Sequence, residues 1–162
     1  MPIATGARLP QATFKVMAED KSQDLTTDQV FAGKKVALFA VPGAFTPTCS
    51  VKHLPGFLSN DAELRKAGID TIACTAVNDQ FVLAAWAEQT GAGGHMLMLG
   101  DPTAAFAKAV GLSTEGALGT RSLRYAAFVD DGVVRILNVE PQAGQAEVAG
   151  AERLLRDIKA LG

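Results

Sequence analysis

The chain has 162 residues, of which 48% are hydrophobic and 20% charged, with a formal net charge of −2. That length suits one domain over residues 1–162 with a core of its own, and the composition excludes a disordered chain. The charge implies no basic face of the kind nucleic acid requires, so no nucleic-acid partner is expected, and no apolar run approaches the roughly 20 residues of a membrane span.

Taken in order, residues 1–10 read as a loop and show no basic stretch followed by an apolar one, so no signal peptide is expected. With two cysteines and no secretory pattern, the thiols are expected to be reduced and the location cytoplasmic. Residues 12–17 read as a strand with Phe14 and Val16 on one face, followed by a turn over 19–22. Thr26 or Thr27 caps a short helix through Phe31 that Gly33 ends. The apolar run Val36–Val41 reads as a buried strand, stopped by Pro42 and Gly43.

A helix is then expected from Pro47, with Thr46 as its N-cap and Cys49 at its third position. Pro55 predicts a kink or break near residues 53–56. Further helix is expected from Phe57 to Lys66 and a buried strand over 69–77. Asn78 is read as the cap of a helix over 80–89 that buries Phe81, Ala84 and Ala85. A glycine-rich connector, a strand from His95 to Leu99 and a helix from residue 102 or 103 to 110 follow. Residues 111–121 read as a mobile loop. Asp130-Asp131-Gly132 marks a hairpin between strands over 123–129 and 133–139. A loop over 141–150 leads into an amphipathic closing helix, residues 147–161. Strands alternating with helices, then a hairpin and a helix, specify an α/β three-layer sandwich with a mixed central sheet flanked by helices.

The chemistry concentrates around Cys49. A helix start carries partial positive charge and unpaired N–H donors, which favour an anion. A thiol there is drawn toward thiolate, the nucleophilic form. The competing reading is a small buried hydrophobe, since free cysteine is among the most buried residue types. Thr46 occupies the place of the first sulfur in a C-x-x-C pair, so this turn holds a lone thiol and forms no local disulfide. Two scattered histidines and two cysteines give no metal spacing, and the glycines over 91–94 do not fit a dinucleotide loop, so no cofactor is expected.

The stretch P-G-A-F-T-P-T-C-S-V-K-H-L-P-G-F, residues 42–57, resembles the signature of the peroxiredoxins, specifically the type II or peroxiredoxin-5 group. The family pattern P-x-x-x-T-x-x-C is met by Pro42, Thr46 and Cys49. The likeness extends to A-V-N-D-Q-F-V at 76–82, to Trp86, to residues 124–130 and to L-N-V-E-P at 137–141. It implies a thioredoxin-like fold and a thiol-dependent peroxidase that reduces hydrogen peroxide and organic hydroperoxides through a cysteine sulfenic acid. It also implies roles: Cys49 attacks, Thr46 orients the peroxide, Pro42 shields the sulfur, and Arg124 supplies positive charge. Arg121 is the rival arginine and does not match the family position. Cys74 is either core packing or a resolving cysteine, as in plant type II members. The loop over 142–150, where mammalian-type members carry their resolving cysteine, has none. A one-cysteine cycle recycled by glutathione with glutaredoxin, or by thioredoxin, is therefore expected. The likeness further implies a homodimer with Phe45 and Phe81 as contacts. His53 either assists the thiolate or packs at the kink or a subunit contact, and His95 is read as structural. The alternative from another class is a peroxide-sensing, redox-regulated protein with little turnover.

Overall fold

The computed structural model describes residues 1–142 and 144–161. Its elements run β1 (Thr13–Ala18), β2 (Lys21–Thr26), α1 (Thr27–Phe31), β3 (Lys35–Ala40), a π-helical turn (Cys49–His53), α2 (Leu54–Ser59), α3 (Asp61–Lys66) and β4 (Thr71–Ala76). They continue as α4 (Gln80–Thr90), β5 (Leu97–Gly100), α5 (Ala105–Ala109), β6 (Ser113–Gly116), β7 (Gly119–Ser122), β8 (Tyr125–Asp130), β9 (Val133–Val139) and α6 (Ala151–Ala160).

Seven strands form one sheet in the order β2-β1-β5-β4-β3-β8-β9. The pairs β3/β4 and β4/β5 are parallel, and the others are antiparallel. The central strands read as unbroken apolar runs because both of their faces are covered. Phe39, Cys74 and Phe128 point to one side, where α2, α3, α4 and α6 bring Leu54, Phe57, Leu64, Leu83, Trp86, Leu154 and Ile158. Val36, Leu38 and Ala127 point to the other side, against Phe31 of α1 and Phe106 of α5. The architecture is the expected thioredoxin-like sandwich with a mixed sheet.

Several local expectations are corrected. Strand β2 follows the first turn immediately, and its sequence K-S-Q-D-L-T is almost wholly exposed. An outer strand with solvent on both faces carries no apolar alternation, so only its pairing with β1 defines it. The expected loop over 111–121 is largely the hairpin β6/β7, again an exposed pair held by its backbone ladder. Asp79 rather than Asn78 caps α4, accepting from Val82 N–H, while Asn78 Oδ1 accepts from Ala44 N–H at 3.0 Å. α4 buries Leu83, Trp86 and Ala87; Phe81 is 60% exposed and Ala85 is exposed. His95 precedes its strand, lies at the surface and contacts Asp61. The closing helix begins at residue 151 rather than 147.

Pro55 does not break the chain's helical path, which runs from residue 47 through 59. The backbone widens instead: Leu54 N–H donates to Cys49 O, five residues back, in the π-helical turn just before the proline. A wider turn relieves the clash of a proline ring with the preceding carbonyls, and such turns concentrate at functional sites.

Candidate active site

The C-terminal end of β3 delivers the chain into a loop, and the π-helical turn leaves it. Phe45 in that loop holds a positive φ of 66°, a backbone region that non-glycine residues rarely occupy. The loop is tied down by Asn78 Oδ1 on Ala44 N–H and by Val41 N–H on Thr75 O. Behind the turn, Trp86 Nε1–H donates to Ser50 Oγ at 3.0 Å and anchors it to α4.

Cys49 begins the turn and is fully buried. Its sulfur is not in an apolar hole. Thr46 Oγ1 lies 2.8 Å from Sγ, and Arg124 Nη2 lies 3.1 Å from it. Arg124 reaches the site from just before β8, the antiparallel neighbour of β3, and is itself only 3% exposed. The structure thus brings Thr46, Cys49 and Arg124 together, while Pro42 sits half-buried in the loop that follows β3.

Thr46 holds the expected N-cap position, its carbonyl accepting from Ser50 N–H at 3.0 Å, but its side chain turns elsewhere. The hydroxyl lies 2.7 Å from Gly43 O as well as 2.8 Å from the sulfur. A hydroxyl carries one proton, so it donates to one of these at a time. It can accept from a thiol S–H while donating to Gly43 O, or rotate and donate to a thiolate. The Arg124 side chain brings a full positive charge to the same sulfur, beside the partial charge of the helix start.

Arg121, the rival arginine, serves another end. Its Nη1 donates to Val77 O at 2.9 Å and its Nε to Leu118 O, pinning the β6/β7 hairpin beside Gly43.

His53 closes the π-helical turn, packed where the sequence reading had expected a kink, but its partners were not foreseen. It is 1% exposed, and its ring packs against Phe39 and Phe57 at centroid distances of 4.9 and 5.6 Å. Nδ1 lies 2.9 Å from Arg124 Nη1 and Nε2 lies 2.7 Å from Ala149 O. Burial first, and the Arg124 guanidinium beside it, lower its pKa to about 3. His53 is therefore a neutral imidazole at any ordinary pH. Its spacing four residues after Cys49 was the available signal, but a contact with an arginine 71 positions away has no local signature.

Cys74 lies in the middle of β4, fully buried in the same core cluster as Cys49, and both thiols are unpaired. Burial, with Cys49 nearby, pushes its thiol pKa well up, so it is a poor nucleophile there. Among the described residues no group of His, Cys, Asp and Glu is arranged to hold a metal ion, and no helix is long and apolar enough to cross a membrane.

The model of the Redoxin family matches residues 4–155. The chain is 44% identical over 164 residues to the rice (Oryza sativa subsp. japonica) protein "Peroxiredoxin-2E-2, chloroplastic", covering 96% of this chain and 72% of that protein. It is 42% identical over 161 residues to rice "Peroxiredoxin-2C", covering 97% and 99%. Among solved structures it is similar to reduced Prx3 from Vibrio vulnificus in complex with H2O2, with a TM-score of 0.91, 46% identity, and coverage of 96% and 99%.

Proposed function

The chain belongs to the redoxin family, and within it to the type II peroxiredoxins, and from that membership we propose how its own residues perform the reaction. It is a thiol-dependent peroxidase that takes a hydroperoxide and a thiol reductant. In the proposed course, Cys49 thiolate attacks the terminal peroxide oxygen. An S–O bond forms, the O–O bond breaks, and sulfur loses two electrons to become a sulfenic acid. The departing oxygen takes the electron pair and then a proton, leaving as water or an alcohol.

Convergence of Thr46 Oγ1 and Arg124 Nη2 on one sulfur is the observation that carries this assignment. Arg124 favours the anionic sulfur and the charge that develops on the leaving oxygen; such preorganised donors contribute several kcal/mol. Thr46 donates to the sulfur or to the incoming peroxide. Pro42 shields the sulfur from water. Because Cys49 has no exposed surface in this conformation, neighbouring side chains must shift to admit the peroxide.

The proposed cycle uses one cysteine. Its support is the burial and raised thiol pKa of Cys74, together with the absence of cysteine over residues 142–150. The sulfenic acid then passes to an outside thiol, glutathione with glutaredoxin or thioredoxin. Further parts of the reading are one domain over residues 1–162, a homodimer, a reducing compartment such as the cytoplasm, and no nucleic-acid or membrane partner. Exposed Phe45 and Phe81 support the dimer, and two unpaired thiols support the compartment. Full burial of Cys49 is the one observation on the side of a peroxide sensor with little turnover.

The deciding experiment is peroxide consumption run in parallel with glutathione plus glutaredoxin and with thioredoxin. Many turnovers per chain with either reductant support the enzyme cycle; one turnover per chain with both supports the sensor.

A further inference from the structure

The guanidinium that faces Cys49 is gripped from behind. Nη1 of Arg124 lies 2.9 Å from His53 Nδ1 while Nη2 lies 3.1 Å from Cys49 Sγ. A guanidinium nitrogen only donates, so His53 Nδ1 accepts and the ring proton sits on Nε2. The other contact requires the same tautomer, because Ala149 O, 2.7 Å from Nε2, can only accept.

The support continues beyond the ring. Ala149 N–H donates to Glu140 Oε2 at 2.9 Å, and Glu140 N–H donates to Arg124 O at 2.9 Å. The hydrogen bonds form a closed circuit that leaves Arg124 through its side chain and returns to it through its backbone. Glu140 is 5% exposed, and a buried carboxylate that holds a backbone N–H is built into the fold rather than solvated. The His53 ring is buried and packs at tilted angles against Phe39 and Phe57, which stack on each other with centroids 4.1 Å apart.

We propose that His53 is a positioning residue for peroxide reduction: its Nδ1 holds Arg124 Nη1, and because the guanidinium fork is planar and rigid, this aims Nη2 at the sulfur of Cys49. Glu140 supports that acceptor by holding Ala149, whose carbonyl accepts from the ring N–H. The inference rests on the reading that Arg124 acts on Cys49, and adds what keeps Arg124 there.

The test measures the rate of Cys49 oxidation by hydrogen peroxide in one turnover, followed through the fluorescence of the chain's one tryptophan. The pH profile of Cys49 alkylation is measured alongside. His53→Phe keeps an aromatic ring against Phe39 and Phe57 and removes both nitrogens; His53→Asn restores an acceptor at the Nδ1 position. Leaving a buried charged donor without its acceptor is expected to slow oxidation about 10- to 100-fold in His53→Phe, with substantial recovery in His53→Asn. A wild-type rate and profile in His53→Phe, while Arg124→Ala is impaired, overturns the His53 assignment and leaves the Arg124 role standing. A wild-type rate in Arg124→Ala as well overturns the reading beneath it. Should His53→Phe fail to fold, 15N shifts of the wild-type imidazole decide. A neutral ring protonated on Nε2 at pH 6–8 supports the proposal, and the other tautomer or an imidazolium overturns it.

Discussion

Arg124 Nη2 stands 3.1 Å from Cys49 Sγ although the two residues are 75 positions apart in the chain. The contact exists because β8 lies antiparallel to β3, with Tyr125 opposite Ala40, so the residue before β8 arrives where the chain leaves β3. A buried cation facing a buried sulfur is the arrangement on which the proposed reactivity rests.

Cys49→Ser is expected to bring peroxide consumption down to the uncatalysed background with either reductant, since a hydroxyl at neutral pH is a far weaker nucleophile than a thiolate. A multiple-turnover assay checks this, and residual turnover at the wild-type rate would place the chemistry elsewhere.

Arg124→Ala is expected to lower the rate of peroxide reduction by about 10²- to 10³-fold, the usual effect of removing one preorganised donor. The alkylation profile of Cys49 should move to higher pH in the same variant. An unchanged profile removes the arginine from the scheme.

Thr46→Val keeps the branched shape and deletes the hydroxyl that lies 2.8 Å from the sulfur. The expected loss is about 1–3 kcal/mol of transition-state stabilisation, or roughly 5- to 150-fold in rate. Thr46→Ser should recover most of it, measured as the single-turnover rate of Cys49 oxidation.

Cys74→Ser is expected to leave turnover within about twofold of wild type while lowering stability by about 1–3 kcal/mol, because a hydroxyl then replaces a buried thiol in an apolar strand. Denaturant unfolding reads the second effect. A large loss of turnover with the fold intact would make Cys74 a resolving cysteine after all.

The His53 pKa, about 3 when folded against 6.5 when free, has a consequence for stability. Between those two values the unfolded chain binds a proton that the folded chain refuses, so stability falls as pH drops from about 6.5 toward 3. The slope from this one group approaches about 1.4 kcal/mol per pH unit. Unfolding free energies from pH 7 to pH 4.5 should therefore fall more steeply for the wild type than for His53→Asn. Parallel curves would show that His53 accepts a proton while folded.

Some local features were read well and others were not. Thr26 caps α1 with Gln29 completing a capping box, and Asp131 and Gly132, both at positive φ, turn the chain between β8 and β9. These features depend on neighbouring residues, and neighbouring residues are what a sequence displays. Strand β2 and the hairpin β6/β7 escaped because an exposed strand buries no face and so leaves no apolar pattern. The helical path through Pro55 was misjudged because the backbone has a second answer, the wider π turn, which a proline does not announce.

The sequence by itself determined the family, the mixed-sheet sandwich and the candidate thiol, since each rests on residues within a few positions of one another or on a long shared pattern. Only the tertiary structure decided what surrounds the sulfur. The Thr46 hydroxyl became its hydrogen-bond partner, Arg124 came to it across the sheet, and His53 and Glu140 closed a circuit behind that arginine. Contacts between residues tens of positions apart are made by strand register and burial, and those are properties of the folded chain as a whole.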